Sequence, residues 1–575
     1  MVHIVDRAPV SGEDKSNELT GLAPQAWISG CNPPLNTHAV GPLAGLTFAV
    51  KDNMNVAGMP TTAGCQAFAF TPDEHAVVVH KLLSAGATLV GKTNLDQFAC
   101  GLNGTRSPYG AVPNAFNADY VSGGSSSGSA YVVATGQVDF ALGTDTAGSG
   151  RVPAGLNNIV GIKPSKGLIS TRGVLPAAQS VDCVSIFART TALAAQVLEV
   201  LADYDPQDPY SRQLKLNAQP WGANFRFGVP SMCKFFGDTL AEAAFDQSVE
   251  QLKALGGVPV GIDYAPLGAA ADLLYNSALV AERYAAIRPF FDAHETEVME
   301  PVRGIIARGR DYSAADLYTA LTLLRGYGQQ AAAMWHDIDV LLVPTAPTQY
   351  TIAQMQADPV ALNRNLGEYT NFVNLLDYAA IAVPSSIRAD GLPFGVTLIG
   401  LCGSDGQLAE LGQRLHHSTG LKQGCIALNL PPAQSILAQA ASKTEATMAL
   451  AVVGAHLSGM PLNGQLTERG AQLAQATTTA AHYRLYALPN TTPPKPGLKR
   501  VAAGGAAITV EVWDVPLAQV GSFLALIPAP LGLGKVELAD GSWVTGFICE
   551  GFALDAAQDV TPFGGWRAYV QSLEK

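Results

Sequence analysis

The order of apolar and polar residues predicts alternating strands and helices in the first part of the chain. Leu46–Val50 has the pattern of a strand that ends at Lys51. Asp73–Ala85 places apolar residues at the spacing of an amphipathic helix, which Gly86 ends, and Ala87–Val90 is a further strand. Because strands that alternate with helices are typical of layered α/β domains, we predict that fold class.

Further apolar runs predict buried strands later in the chain. Val340–Pro347 and Ala379–Pro384 are apolar and end in proline, which is typical of strands that stop there. Asp272–Ile287 is a run of good helix propensity.

The character of the sequence changes after residue 430. Residues 431–446 are rich in Pro, Ala, Ser and Gln and predict a linker. A second unit begins with the apolar strand Met448–Leu457 and continues with strand-like runs separated by helical pieces: Tyr483–Leu488, Ala507–Val515 and Val544–Leu554. We therefore predict a domain over 1–430 with its core at about 41–428, a linker, and a smaller α+β domain over 447–575.

Composition and charge narrow the classes of function. The chain is 48% hydrophobic and 14% charged, which predicts a large buried core. A net charge of −12 without a cluster of Lys or Arg disfavours nucleic acid and anionic membranes as partners. No apolar run of membrane-spanning length or signal-peptide pattern is present, and the eight cysteines form no CxxC pair, so we expect a cytoplasmic protein with reduced thiols. No motif predicts a metal or a cofactor.

The residues best suited to catalysis lie between residues 120 and 154, in two Gly/Ser clusters. GGSSSGS covers Gly123–Ser129 and TAGSG covers Thr146–Gly150, with a helical pattern at Ala130–Thr135 and an apolar strand at Val138–Leu142 between them. Glycines permit close approach to a ligand, serines supply hydroxyls, and successive N–H groups can hold an anion. The alternative is a flexible Gly/Ser linker, which the helix and the strand between the clusters disfavour.

This stretch resembles the signature of the amidase signature family, whose hydrolases use a Ser–cis-Ser–Lys triad on a mixed sheet covered by helices. The resemblance places the nucleophile at Ser149, the cis-serine 24 residues earlier at Ser125, and the lysine at Lys51 in LTFAVKDNM. It covers about residues 46–428. Because no histidine lies near Ser149, the base would be a lysine that burial keeps neutral.

The same resemblance assigns roles to residues around the triad. An ion pair between Asp145 and Arg151 would brace the nucleophile loop, and Gly124 would contact the substrate. The backbone N–H groups of four residues would hold the oxyanion: Thr146, Ala147, Gly148 and Ser149.

A tyrosine and an arginine eight residues apart, Tyr275 and Arg283, resemble the substrate-carboxylate pair of the allophanate hydrolase branch of the family. On one straight helix the two side chains would not share a face, so their convergence needs the reach of the arginine or a bend. The alternative is a packing tyrosine and a surface arginine. Near Thr397 the common amidase pattern has glutamine, and this departure favours the allophanate branch. The implied substrate is a small anion.

The second domain resembles the C-terminal domain of allophanate hydrolases, which has a γ-glutamyl cyclotransferase-like fold and decarboxylates the first product. The resemblance implies that His456 is catalytic, although a lone histidine is more often structural. Arg484, Lys499 and Arg500 are candidates to hold the product's carboxylates. The resemblance also implies a homodimer.

Two other classes of function remain open. The chain can be a general amidase, or the glutaminase-type subunit of a tRNA-dependent amidotransferase, which would lack the second domain. A scaffold with a non-catalytic second domain for binding or dimerisation is the third possibility, although the complete Lys51, Ser125 and Ser149 set argues against loss of catalysis.

Overall fold

The computed structural model describes residues 23–437 and 447–573, which form two compact units, one before and one after residue 440. Within these residues the first unit contains one sheet and the second contains two, and each unit has its own hydrophobic core. The predicted linker at 431–446 is described only as far as residue 437, and residues 431–435 form no regular structure.

Eleven strands of the first unit form one mixed sheet within the described residues. The strands are β1 Trp27–Leu35, β2 Thr47–Lys51, β3 Thr88–Thr93, β4 Phe140–Asp145, β5 Val160–Lys163, β6 Cys183–Ala188, β7 Phe225–Pro230, β8 Gly257–Ile262, β9 Val340–Pro344, β10 Tyr378–Ile387 and β11 Pro393–Leu401. Their order is β1-β3-β2-β4-β6-β5-β10-β11-β9-β7-β8. The pairs β2–β3, β2–β4, β7–β8 and β7–β9 are parallel, and the others are antiparallel.

Helices pack around this sheet. They are α1 Val77–Ser84, α2 Ser127–Ala134, α3 Val152–Leu156, α4 Thr191–Leu201, α5 Thr239–Ala254, α6 Ala265–Asn276, α7 Ala281–His294, α8 Val302–Ala307, α9 Ala314–Ala332, α10 Ile352–Ala357, α11 Ala361–Leu366, α12 Phe372–Leu375 and α13 Asp405–Ser418. The predicted α/β class is confirmed. No helix in the described ranges combines the length and the apolar character needed to cross a bilayer.

Strands β2 and β4 are buried on both faces, which explains their continuous apolar sequences. On one face Phe48 stacks on Phe140 with 5.4 Å between ring centroids, within the main core. On the other face Ala49 and Ala141 belong to a separate cluster with helix α2. The short alanine side chains leave room for α2 to lie close to the sheet.

Helix α1 begins later than the predicted Asp73–Ala85. Ala76 is extended, because its N–H donates to the carbonyl of Asn55 and the N–H of Val77 donates to that of Arg172. These loop contacts hold the chain straight until Val77, although the periodicity of the sequence extends further back.

The helix-forming run at 272–287 is interrupted at Ser277, which has φ −140° and ψ −178°. The Ser277 hydroxyl donates to the carbonyl of Leu273 at 2.6 Å and accepts from the N–H of Leu279 at 3.3 Å. A serine that bonds to nearby backbone groups in this way competes with the helix ladder. The run therefore forms the end of α6, a short 3-10 turn at Ala278–Val280 and the start of α7.

The second unit is β-rich. Its strands are β12 Thr447–Val452, β13 Gln472–Thr478, β14 Tyr483–Ala487, β15 Pro496–Arg500, β16 Thr509–Pro516, β17 Leu531–Glu537, β18 Trp543–Cys549 and β19 Gln558–Asp559. Five form one sheet in the order β13-β16-β12-β18-β17, and three form another in the order β15-β14-β19. Short helices lie at Gly464–Thr467, Leu517–Leu524 and Trp566–Leu573.

The strand predicted at Met448–Leu457 ends at Val452, and its last residues turn away from the sheet. This turn carries His456. The assignment to a γ-glutamyl cyclotransferase-like fold stays a prediction.

Candidate active site

The two Gly/Ser clusters meet because the helix and the strand between them run antiparallel to each other. The Ser126 hydroxyl, ahead of α2, donates to the carbonyl of Thr144 at the end of β4, and Ser129 in α2 donates to that of Leu142. The start of α2 therefore lies beside the end of β4. The segment is buried, which rules out a flexible linker and places Ser125 and Ser149 at the same end of this pair.

Lys51 reaches this point because β2 lies parallel to β4. The carboxyl ends of parallel neighbours share one edge of the sheet, and Lys51 is the last residue of β2. Its Nζ lies 2.7 Å from Ser125 Oγ and 2.7 Å from Thr144 Oγ1. Burial lowers the pKa of the Lys51 ammonium to about 7, and the nearby Asp96 and Asp182 carboxylates offset part of this effect.

Ser125 follows a cis peptide bond from Gly124 and is fully buried. A Cβ on Gly124 would lie 2.2 Å from Asp96 Oδ2 and 2.6 Å from the nitrogen of Gly104. Gly124 is therefore needed for close packing against Asp96 and Gly104. Its contact with a substrate stays a prediction.

Ser149 is buried in the loop between β4 and α3, and its hydroxyl donates to the carbonyl of Gly101 at 3.3 Å. Within residues 23–437 no hydrogen bond joins Ser149 to Ser125, so the predicted chain of hydroxyls is not closed in this state.

The loop that carries Ser149 leaves backbone donors available. The N–H groups of Ala147, Gly148 and Ser149 make no turn or loop hydrogen bond within the described part of the chain. Gly148 has φ +144°, and a Cβ there would lie 2.4 Å from Thr370 Oγ1. Thr146, the fourth predicted oxyanion residue, donates its hydroxyl to Asp182 at 2.6 Å.

Asp145 and Arg151 form a buried bidentate ion pair, with Nε–Oδ2 and Nη2–Oδ1 distances of 2.9 and 3.0 Å. Arg151 also donates to the carbonyl of Thr370 and to Asn374, which in turn donates to the Asp145 carbonyl. The contacts tie both ends of the loop that carries Ser149 to the segment that contains α12.

The break at Ser277 brings Tyr275 and Arg283 together. Arg283 Nη2 donates to the Tyr275 hydroxyl at 3.2 Å, and the guanidinium lies 5.1 Å from the centre of the tyrosine ring. Arg283 is only 4% exposed, and its Nη1 has no hydrogen-bond partner. No carboxylate in residues 23–437 forms an ion pair with it. A buried guanidinium with a free donor is suited to an anionic ligand.

A cavity of about 400 Å³ lies beside this pair. Tyr275 lines it together with Leu102, the neighbour of the Gly101 that contacts Ser149. Four cationic residues line the same cavity, against two acidic ones, Asp272 and Glu368: Arg106, Lys234, Arg308 and Arg364. The positive balance compensates locally for the net charge of the whole chain.

Sequence reasoning missed Thr144 and Asp182. Asp182 accepts hydrogen bonds from Thr146 and from the N–H groups of Ala177 and Ala178, and burial raises its pKa to about 6. It reaches the site because β6, which follows it, pairs antiparallel with β4. Asp182 lies 36 residues after Thr146 in a segment without a recognisable motif. The local sequence therefore gives no indication that it reaches the site.

In the second unit His456 lines a cavity of about 220 Å³. Its Nε2 lies 2.9 Å from Gln465 Oε1, and its ring stacks on Phe547 with 5.1 Å between centroids. Burial lowers the pKa of His456, and the charge of Lys495 lowers it further against the opposing bond to Gln465.

The three basic residues suggested for carboxylate binding do not line this cavity. Arg484 Nε donates to the Gly504 carbonyl, and Arg500 pairs with Glu537 at 2.6 Å. Lys499 is exposed on β15. The cation that lines the cavity with His456 is Lys495.

Comparison with known proteins covers both units. The Amidase family model matches residues 30–409, and the model of the allophanate hydrolase C-terminal domain matches residues 448–571. The urea amidolyase of Saccharomyces cerevisiae is 44% identical over 547 residues, which cover 93% of this chain and 30% of the relative. The chain thus spans about a third of the length of the urea amidolyases that it matches.

Solved structures of an allophanate hydrolase and of an amidotransferase subunit are also similar to this chain. A selenomethionine-substituted allophanate hydrolase of Kluyveromyces lactis has a TM-score of 0.70 and 41% identity, covering 97% of this chain and 95% of that one. One subunit of the glutamyl-tRNA(Gln) amidotransferase of Thermotoga maritima has a TM-score of 0.59 and 27% identity, covering 69% of this chain and 87% of that one.

The amidotransferase chain is thus matched almost throughout while about a third of this chain is left over. Residues 448–571 have a family match of their own. The chain therefore belongs to the amidase family and carries the C-terminal domain of allophanate hydrolases.

Proposed function

We propose that the chain is an allophanate hydrolase with one active site in each unit. The observation that carries the proposal is the buried Lys51–Ser125 contact beside Ser149, together with the buried Arg283, whose Nη1 has no hydrogen-bond partner among the described residues. The first unit would release ammonia from allophanate, H₂N–CO–NH–COO⁻, with one water, and leave N-carboxycarbamate. We also propose a domain boundary within 431–446, which the division into two units at residue 440 supports.

Neutral Lys51 acts as the base of the first step. It takes a proton from Ser125, which takes one from Ser149 as Ser149 Oγ attacks the terminal amide carbon. Ser149 must first leave the carbonyl of Gly101, which a rotation of its side chain allows. Ser125 then gives its proton to the departing nitrogen and regains one from the Lys51 ammonium, and water releases the acyl group from Ser149.

The free N–H groups of the 146–149 loop stabilise the oxyanion. One such donor contributes about 3–4 kcal/mol in comparable hydrolases. The Asp145–Arg151 pair holds the loop, so the donors are aimed before the substrate arrives. Tyr275 and Arg283 bind the substrate's carboxylate, with Arg283 Nη1 as a free donor.

The second unit would decarboxylate the product. The C–N bond of ⁻OOC–NH–COO⁻ breaks and its electron pair stays on nitrogen, which takes a proton delivered by His456. Carbon dioxide and carbamate leave, and carbamate decays to ammonia and carbon dioxide. The net yield is two ammonia and two carbon dioxide per allophanate.

The assembly and the location of the protein rest on the resemblance and on sequence patterns. We propose a homodimer, as the resemblance implies, and a cytoplasmic location, in line with eight cysteines that are all free thiols.

The substrate is tested by comparing Arg283→Ala with Arg288→Ala. Both arginines lie on α7, but Arg288 is exposed and pairs with Asp292. Arg283→Ala should lose about 2–5 kcal/mol in kcat/KM for allophanate, by analogy with truncation of a buried charge pair. It should lose little for a neutral amide of similar size, and Arg288→Ala should behave like wild type.

The assay is ammonia release from allophanate, malonamate, biuret and simple amides, with Ser149→Ala as the inactive reference. Equal losses for charged and neutral substrates in Arg283→Ala would make Arg283 a structural residue. A preference for neutral amides in the wild type would favour the general amidase. Turnover of Ser149→Ala within tenfold of wild type would overturn the assignment of the nucleophile.

A further inference from the structure

The cavity that His456 lines in the second unit contains one cationic residue, Lys495, and no acidic residue of the described ranges lines it. The residues that line it include His456, Gln465 and Lys495 and contain no Asp or Glu. Lys495 Nζ forms no hydrogen bond or ion pair within residues 23–437 and 447–573. The remaining lining residues are mostly of apolar type, with Phe547 and Leu531 among them. An ammonium in a concave site, without a carboxylate among the lining residues, is an anion-binding feature.

Backbone packing holds Lys495 next to His456. Gly454, two residues before His456, touches Pro496, the first residue of β15, so closely that a Cβ on Gly454 would lie 2.3 Å from Pro496 Cδ. Lys495 directly precedes Pro496, and its N–H donates to Thr491 Oγ1 at 2.9 Å. The two segments that carry His456 and Lys495 are therefore packed against each other, and their proximity does not depend on a surface side chain.

The neighbours of His456 fix the orientation of its ring and the nitrogen that carries the proton. The oxygen of Gln465 can only accept, so the 2.9 Å contact places a proton on Nε2. Phe547 stacks on one face of the ring, and Phe523 approaches it edge-on with 5.3 Å between centroids. The ring is thus held by three neighbours, as a group that must meet a ligand in one orientation is expected to be.

We propose that this cavity binds a small dicarboxylate, with Lys495 pairing with one carboxylate while His456 faces the centre of the molecule. The proposal deepens the proposed function, on which the identity of the natural ligand rests. It replaces Arg484, Lys499 and Arg500 as carboxylate ligands. The carboxylate paired with Lys495 is the one that stays, and apolar side chains of the lining such as Phe547 and Leu531 favour departure of the other as neutral carbon dioxide.

The probe is malonate, ⁻OOC–CH₂–COO⁻, which has CH₂ where N-carboxycarbamate has NH. The full chain is labelled with carbon-13 in its histidine rings, and the ten histidines are followed by NMR, with His456→Gln to assign the signal. Malonate should shift the His456 signal saturably and raise the pKa of its imidazole, because an anion stabilises the imidazolium.

Lys495→Met is compared with Lys499→Met, which removes an exposed lysine four residues later on the same segment. We expect Lys495→Met to weaken the malonate Kd read at His456 by tenfold or more, Lys495→Arg to restore most of the binding, and Lys499→Met to match wild type. An unchanged signal of His482, the other histidine of the second unit, shows that this unit folds in each variant.

Equal Kd values for Lys495→Met and Lys499→Met would overturn the role of Lys495. A wild-type His456 signal that malonate does not move would overturn the dicarboxylate site itself. Ammonia release from allophanate by the first unit is measured separately in all variants. Failure of that reaction in the wild type would refute the proposed function without touching the malonate result.

Discussion

At the scale of single residues, Lys51 carries the pH dependence of the proposed first step. Its pKa of about 7 results from burial, and only the neutral amine can accept a proton from Ser125. We expect kcat/KM for ammonia release to rise tenfold per pH unit below about 7 and to level off above it. Lys51→Met should lower the rate by orders of magnitude. A variant with the wild-type rate and profile would mean that another group is the base.

Asp182 makes a second prediction at this scale. Its carboxylate favours the charged form of Lys51, so Asp182→Asn should lower the pKa of Lys51 and move the acidic limb of the kcat/KM profile to lower pH. A residue that only anchors Thr146 would reduce the rate without moving the limb. The control is Asp203→Asn, which removes a largely exposed carboxylate paired with Lys81. The pH–rate profiles of the three proteins decide between the two roles.

At the scale of elements, we expect the loop that carries Ser149 to depend on the ion pair at its two ends. Arg151→Met would leave Asp145 as a buried carboxylate without its partner, which typically costs about 3–5 kcal/mol. The exposed Lys253–Glu250 pair provides the control, since Lys253→Met should change the free energy of unfolding by less than about 1 kcal/mol.

Urea unfolding followed by fluorescence measures both variants. A loss of below about 1 kcal/mol in Arg151→Met would show that water or neighbouring donors replace the arginine, and that the loop does not need this brace.

The break between α6 and α7 explains how Tyr275 and Arg283 come into contact, which a continuous helix would not allow. Propensity over 272–287 favours a helix, and the local hydrogen bonds of Ser277 interrupt it. The interruption changes the direction of the chain and brings Arg283 to Tyr275. The sequence could therefore suggest the pair by resemblance, while the contact itself depends on a break that helix propensity does not predict.

At the scale of the whole molecule, the two units predict two separable reactions. A chain that ends at residue 437 retains Lys51, Ser125, Ser149, Tyr275 and Arg283, so it should still release the first ammonia. N-Carboxycarbamate should then persist longer than with the full chain. His456→Ala in the full chain should reproduce this persistence and leave the first step unchanged.

The intermediate must be followed directly, by carbon-13 NMR of labelled allophanate, because uncatalysed decay can conceal the difference in total ammonia. Identical lifetimes with the full chain, the shortened chain and His456→Ala would make the second unit a binding module rather than an enzyme.

The sequence by itself determined the fold class, the family resemblance and the residue types of the proposed triad. Helix and strand periodicity, the Gly/Ser clusters and the 24-residue spacing are patterns along the chain. They can be recognised without knowing how the chain folds. The tertiary structure alone decided which distant groups touch. It placed Ser149 on the carbonyl of Gly101, Asp182 beside Thr146 and Lys495 with His456. Such contacts depend on how strands pair and loops pack across the fold, which residue spacing along the chain does not encode.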